Sequence, residues 1–366
     1  MTSLSRWTRA FTRVDDEQVT RWFSAPDART WDAPATHDSP RDFHRTLPGY
    51  SPTPLVELPE LATELDVGRL FVKDESSRLG LPAFKILGAS WACRQVLERQ
   101  PGAELVTATD GNHGRAVART AHQLGVPATV FVPDVMEQAT QAAIEAEGAT
   151  VVRLDVGYDD AVRAAADYAD DADTRALVQD TAWEGYTDVP AWIVDGYGTL
   201  LEEVDEQLGR APDLVAVPVG VGSLAEAVVR HYRRPDTPHP TVLSVEPDTA
   251  ACALESLAVH EPVTVQTGST VMAGLNCGTV SSTAWPVLRD GCDAAVTVSD
   301  DEAEQAAADL GRLGISSGPS GAATLAGVRA ALAEPHRREA LDLPLHPVVV
   351  LLSTEGAPHD TEGSPA

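Results

Sequence analysis

From residue 69 onward the chain alternates short apolar runs with stretches of helical period, and this alternation restricts its possible folds more than any other feature. Segments 70–73, 105–108, 129–132, 151–154, 214–218, 242–245 and 348–352 read as strands. Between most of them, segments 86–98, 113–124, 137–147, 159–168 and 224–232 carry apolar residues at helical spacing. Strands that alternate with helices build parallel sheets covered on both faces, so an α/β fold with two open domains is expected from 366 residues. Such sheets bind ligands at the C-terminal ends of their strands, where loops lead into helices. The chemistry is therefore to be sought just after each strand.

Three such loops stand out. The first, Lys73-Asp74-Glu75-Ser76-Ser77-Arg78-Leu79-Gly80-Leu81-Pro82-Ala83-Phe84-Lys85, delivers Lys85 to the start of an apolar-striped helix. Of the 27 Lys and Arg residues only Lys73 and Lys85 are lysine. A surface lysine is the ordinary reading of such a position. Here, though, a chain that has replaced nearly every lysine by arginine kept an amine, and guanidinium cannot form a Schiff base. Lys73 sits in a strand and is assigned a structural or electrostatic role. The second loop, Thr107-Ala108-Thr109-Asp110-Gly111-Asn112-His113-Gly114, places polar side chains between two glycines at a helix entry. Asp110 and Asn112 serve equally well as helix caps. The third, Pro218-Val219-Gly220-Val221-Gly222-Ser223-Leu224-Ala225, offers backbone N–H groups to an anion such as phosphate. With Glu246 at the end of the next strand it also imitates a dinucleotide fingerprint.

The charge narrows the partners. A net charge of −28 repels nucleic acid, and so acidic a lysine-poor surface suits a cytosol of very high salt, a halophilic adaptation. No apolar run approaches the roughly 18 residues of a membrane span. The first 13 residues hold no apolar signal core, so the cytoplasm is the expected location. Cys93, Cys252, Cys277 and Cys292 show no metal-ligand spacing, and no metal site is expected. The tail after Glu355 is polar and expected to fray.

Taken in order, these segments resemble the fold-type II pyridoxal-phosphate (PLP) enzymes, the tryptophan synthase β-like group, and within it the diaminopropionate ammonia-lyase family. Beside the three loops, the resemblance rests on Gln179-Asp180-Thr181-Ala182-Trp183, on Met272-Ala273-Gly274-Leu275 followed by Cys277-Gly278, and on Ser353-Thr354-Glu355-Gly356. It implies that Lys85 carries pyridoxal 5'-phosphate, that Asn112 meets the cofactor's phenolic oxygen, and that Gly220, Val221, Gly222 and Ser223 cradle its phosphate. Thr354 would face the pyridine nitrogen. The implied reaction takes 2,3-diaminopropionate to pyruvate and ammonia. Lys85 would be the base toward the L-substrate and Asp110 toward the D-substrate, with Asp180 steering the cationic β-amino group. The family also implies a homodimer and a small domain, residues 88–197, inserted between segments 1–87 and 198–366 of a larger PLP-binding domain.

Some residues depart from the pattern or favour plainer roles. Pro319 stands where the family has an acidic residue, and the surroundings of Cys277 differ at Asn276, Thr279 and Val280. Trp183, Trp192 and Tyr197 are near enough in sequence to line a site but more often such aromatics pack. Cys252 and Cys277 could approach one another, though a cytosol opposes a lasting disulfide. Two alternatives stay open: a serine or threonine dehydratase-like PLP lyase, and an NAD-dependent dehydrogenase using Gly220, Gly222 and Glu246. The acidic surface generates its own test. Thermal melting in molar KCl should occur at higher temperature than in dilute buffer, and a protein more stable in dilute buffer contradicts the salt adaptation.

Overall fold

The structure, a computed structural model, describes residues 20–34, 39–109, 111–235 and 237–357, without the side chain of Asp159. Asp110 and the polar tail beyond Ala357 therefore lie outside the described residues. Eleven strands are found among the rest: β1 (Trp22–Ser24), β2 (Leu55–Glu57), β3 (Arg69–Asp74), β4 (Glu104–Ala108), β5 (Ala128–Pro133), β6 (Thr150–Leu154), β7 (Arg175–Leu177), β8 (Leu214–Pro218), β9 (Thr241–Pro247), β10 (Ala294–Val298) and β11 (Val348–Ser353). Seven form one sheet in the order β1-β10-β9-β8-β11-β3-β2, and four form a second in the order β6-β5-β4-β7.

The four-stranded sheet is parallel throughout. The larger sheet is parallel from β10 to β3 and closes with an antiparallel strand at each edge. Both edge strands precede the alternating region, so they pair from outside the βα succession and run against it. Strands β8, β9, β10 and β11 are buried along their whole length. That burial on both faces is why they read as continuous apolar runs. Among the described residues no helix is long and apolar enough to cross a membrane.

Two helices bring the site together. Ile86–Arg99 begins immediately after Lys85 and packs against Asp188–Leu208. They cross where Gly88 meets Gly196. A Cβ on Gly196 would lie 2.6 Å from the Leu87 carbonyl oxygen, and one on Gly88 2.8 Å from the Ile193 carbonyl oxygen. The obstacle in both cases includes backbone, which cannot swing aside. This crossing is three residues from Lys85, so its tightness sets where the lysine emerges. Gly196→Ala should therefore lose about 1–3 kcal/mol to overpacking, instead of gaining the ~1 kcal/mol that helix propensity alone would give. A lower thermal midpoint in the variant is the expected outcome, and a higher one would show that the two helices can separate at no cost.

Candidate active site

The Lys85 loop leaves β3 and is held from beneath by a sealed group of charges. Lys73, Glu75, Arg78 and Glu203 are all fully buried. The Lys73 ammonium donates to the Thr53 carbonyl (2.8 Å), to Glu203 (2.8 Å) and to Gln207 (3.0 Å). Arg78 spans the two carboxylates: its Nε donates to Glu75 at 2.8 Å, and Nη1 and Nη2 donate to Glu203 at 2.8 Å each. Two cations and two carboxylates balance, which makes the burial tolerable. Burial opposes the charge of Glu203, but the bonds and charges of Arg78 and Lys73 win and bring its carboxyl down to about 2. Arg78 and Glu75 lie inside the loop and Glu203 on the Asp188–Leu208 helix, so the network fastens the loop to that helix.

Above it, the Lys85 Nζ donates to Asp180 Oδ2 at 2.7 Å. The lysine side chain is about a quarter exposed, while that of Asp180 is 8% exposed. Burial works against the Asp180 charge, yet the Lys85 ammonium and His113 hold its carboxyl well below the usual carboxylate range. Neighbouring groups fix its position. Gln179 accepts from the Ala108 N–H (3.0 Å) and the Thr107 hydroxyl (3.1 Å), and its Nε2 donates to Asp180 Oδ1 at 3.3 Å. The Ser223 hydroxyl donates to the Asp180 carbonyl at 2.9 Å. A residue expected in the phosphate cradle thus ties that cradle to the acidic segment through its side chain, leaving its backbone N–H for an anion.

His113, on the helix Asn112–Leu124, packs under the same pair. Its Nε2 donates to the Val178 carbonyl at 2.8 Å, and Nδ1 is 3.9 Å from Asp180 Oδ2. Burial lowers its pKa, against the pull of the Asp180 charge. Asn112, first in that helix, donates its Nδ2 to Glu355 Oε2 at 2.9 Å. Thr109 shapes the turn between them by accepting from the N–H groups of Gly111 (2.9 Å) and Gly114 (3.0 Å). A Cβ on Gly114 would collide with the Thr109 side chain at 2.2 Å, so glycine is required there.

The glycine loop lies beside these groups. Gly222 has φ +100°, a left-handed conformation, and precedes the helix Ser223–Tyr232. A Cβ on Gly220 would come within 2.9 Å of the Gly274 carbonyl oxygen and 3.1 Å of Cys277 Sγ. Thr354 is buried, and its carbonyl accepts from the Phe84 N–H at 3.2 Å, which joins the end of β11 to the Lys85 loop. Glu246 does not face a ligand. It is fully buried, accepts from the Ala253 (2.8 Å) and Leu254 (2.7 Å) N–H groups, and is pushed up by burial to about 8. Spent on capping a helix, it cannot bind a ribose, and the dehydrogenase alternative loses its acidic partner.

The remaining expectations resolve individually. Tyr197 is fully buried against Phe84, with ring centroids 4.7 Å apart, and burial raises its phenol. Trp183 stacks on Tyr186 at 4.4 Å, and the Tyr186 hydroxyl accepts from the Gln179 N–H at 2.8 Å. Trp192 lies under the Arg99 guanidinium at 3.9 Å, a packing role. Pro319 is the first residue of the helix Pro319–Ala333, a place where the missing N–H costs nothing. Cys252 and Cys277 are thiols, and burial pushes Cys252 up.

These residues fit pyridoxal 5'-phosphate. The turn 220–222 leads into a helix N-terminus and has no room for a Cβ at Gly220, and the amine of Lys85 is joined to it through Asp180. His113 Nδ1, Thr181 Oγ1 and Ser320 Oγ are buried polar atoms with no hydrogen-bond partner among the described residues, as expected around a site that receives a polar group.

The family model described as pyridoxal-phosphate dependent enzyme matches residues 46–353. Diaminopropionate ammonia-lyase of Escherichia coli strain K12 is 37% identical over 349 residues, covering 86% of this chain and 87% of that one. Its counterpart from Salmonella typhimurium strain LT2 is 37% identical over 289 residues, covering 70% and 71%. The crystal structure of the Escherichia coli enzyme in complex with an aminoacrylate-PLP azomethine reaction intermediate superposes with TM-score 0.80 at 34% identity, covering 92% of this chain and 94% of that one.

The buried charge network makes a prediction of its own. Glu203→Gln leaves two buried cations with one carboxylate and should cost about 3–5 kcal/mol of stability. Because the folded-state value of Glu203 is depressed, its contribution is complete above the ordinary 4.5 and disappears as pH falls toward about 2. Melting followed from pH 5 to pH 2 should show a smaller acid-dependent fall in the variant than in the parent; equal falls would remove Glu203 from the account.

Proposed function

The chain belongs to the pyridoxal-phosphate dependent enzymes, and from that premise we propose that it eliminates ammonia from 2,3-diaminopropionate, giving pyruvate and two ammonias with the uptake of one water. The observation that carries this reading is the Lys85–Asp180 pair at 2.7 Å with its carboxylate almost fully buried. A substrate with a second ammonium brings a cation to replace the one that Asp180 already holds. Serine brings only a hydroxyl and would leave a buried carboxylate without its counter-charge, a costly exchange.

When bound, the cofactor supplies the electron sink that makes the substrate's α-proton removable. The protein's own residues do the rest. Lys85 Nζ holds the cofactor and then takes the α-proton of the L-substrate. Asp110, next to the Thr109 turn in sequence, takes that proton from the opposite side in the D-substrate. Asp180 Oδ2 receives the β-ammonium, and Gln179 and Ser223 keep that segment in place. Gly220, Val221, Gly222 and Ser223 bind the phosphate through backbone N–H groups, Asn112 the phenolic oxygen, and Thr354 the pyridine nitrogen. The proposal extends to a homodimer, as the resemblance implies, to a cytoplasmic location, and to a small domain of residues 88–197 set into a large one of 1–87 and 198–366. The four-stranded sheet, residues 104–177, falls within the proposed small domain.

The test is the stoichiometry and choice of substrate. The PLP-loaded protein should release two ammonias per pyruvate from diaminopropionate, with kcat/KM at least tenfold above that for serine or threonine. A preference for serine or threonine would move the protein to the dehydratases. Asp110→Asn should cost roughly a hundredfold or more with the D-substrate, the scale of a lost general base, and far less with the L-substrate. Equal losses on both enantiomers would contradict the assignment of Asp110.

A further inference from the structure

Four site segments meet at Glu355. Its backbone pairs with Ala83, two residues before Lys85, and its carbonyl accepts from the Gly318 N–H at 3.0 Å. The next residue, Gly356, donates to the Pro82 carbonyl at 2.9 Å. Thr354 precedes it. Its carboxylate reaches across to Asn112 Nδ2 at 2.9 Å, joining residues 243 positions apart and linking the end of the larger sheet to the helix that follows β4 of the smaller sheet.

This contact settles a question that geometry alone leaves open. A carboxamide has two ends of nearly equal shape, one an acceptor and the other a double donor. A carboxylate only accepts, so the end of Asn112 toward Glu355 is the NH2 group. The reverse orientation would set a carbonyl oxygen against a carboxylate. One N–H is used by Glu355, and the second stays on the same nitrogen for another acceptor. We propose that Glu355 is a positioning residue: it fixes the Asn112 amide in the one orientation that offers an N–H to the cofactor's phenolic oxygen. The inference deepens the proposed function and rests on its assignment of Asn112 to that oxygen.

Binding of pyridoxal 5'-phosphate itself tests it, apart from any turnover. Cofactor affinity is measured by quenching of tryptophan fluorescence, and the visible absorption band is recorded, for the parent, Glu355→Ala, Asn112→Ala and the double variant. Glu355→Ala should weaken affinity roughly tenfold, the scale of a lost charge-assisted hydrogen bond, and move the band. In the Asn112→Ala background the same change should have little further effect, because Glu355 acts through that amide. Glu355→Gln keeps the shape but offers either an oxygen or an NH2 group. It should weaken binding in the same direction by a smaller factor, and it takes the place of the alanine variant if that variant does not fold. A full loss that persists without Asn112, or an unchanged affinity and band in Glu355→Ala while Asn112→Ala is impaired, overturns the positioning role alone. Unchanged affinity and band in Asn112→Ala overturns the assignment of Asn112 and the positioning role with it.

Discussion

Two cations and two carboxylates share a buried volume under the loop that ends at Lys85, and the site depends on that enclosed balance. Lys73, Arg78, Glu75 and Glu203 are fully buried, and their ion pairs bind each to the position of the others. The loop between β3 and Lys85 is thereby fixed at both ends: by the charges within it and by the Gly88–Gly196 helix crossing just beyond it. An amine held this firmly meets Asp180 at hydrogen-bond distance without the loop having to search for it. Such pre-organisation matters for a reaction in which proton transfer depends on placement.

The chain's two lysines are kept for different reasons. Lys85 is an amine beside a buried carboxylate, and under the proposed function arginine could not take its place. Lys73 points three donors at a carbonyl, a carboxylate and an amide within one small volume. A planar guanidinium spreads its donors in a fixed fork and suits the neighbouring role of Arg78, which bridges two carboxylates. Scarcity of lysine points to both positions. Only the three-dimensional surroundings separate them.

Much of the fold was legible because parallel strands buried on both faces read as unbroken apolar runs; segment 214–218 coincides with β8 and the other six fall within observed strands. β1, β2 and β7 were not legible: each has three residues, too few to show a period. β10 is an Ala-Ala-Val-Thr-Val run that could equally belong to a helix. The helix Asp188–Leu208 is disguised by Pro190, Gly196 and Gly198, and Pro319–Ala333 is buried nearly all round, leaving no polar stripe to mark its period. In the site, the loops could be read and their couplings could not. Asn112 with Glu355, Lys85 with Asp180, and Ser223 with the Asp180 carbonyl join residues far apart in the chain, and no spacing announces such pairs.

Whether Lys85 is the amine that carries the cofactor is read directly by chemical trapping. The PLP-loaded protein would be reduced with borohydride, digested, and its peptides analysed by mass spectrometry. One phosphopyridoxyl group is expected, on Lys85, with Lys73 unmodified inside its charge network. A label on Lys73, or none on Lys85, would overturn the assignment.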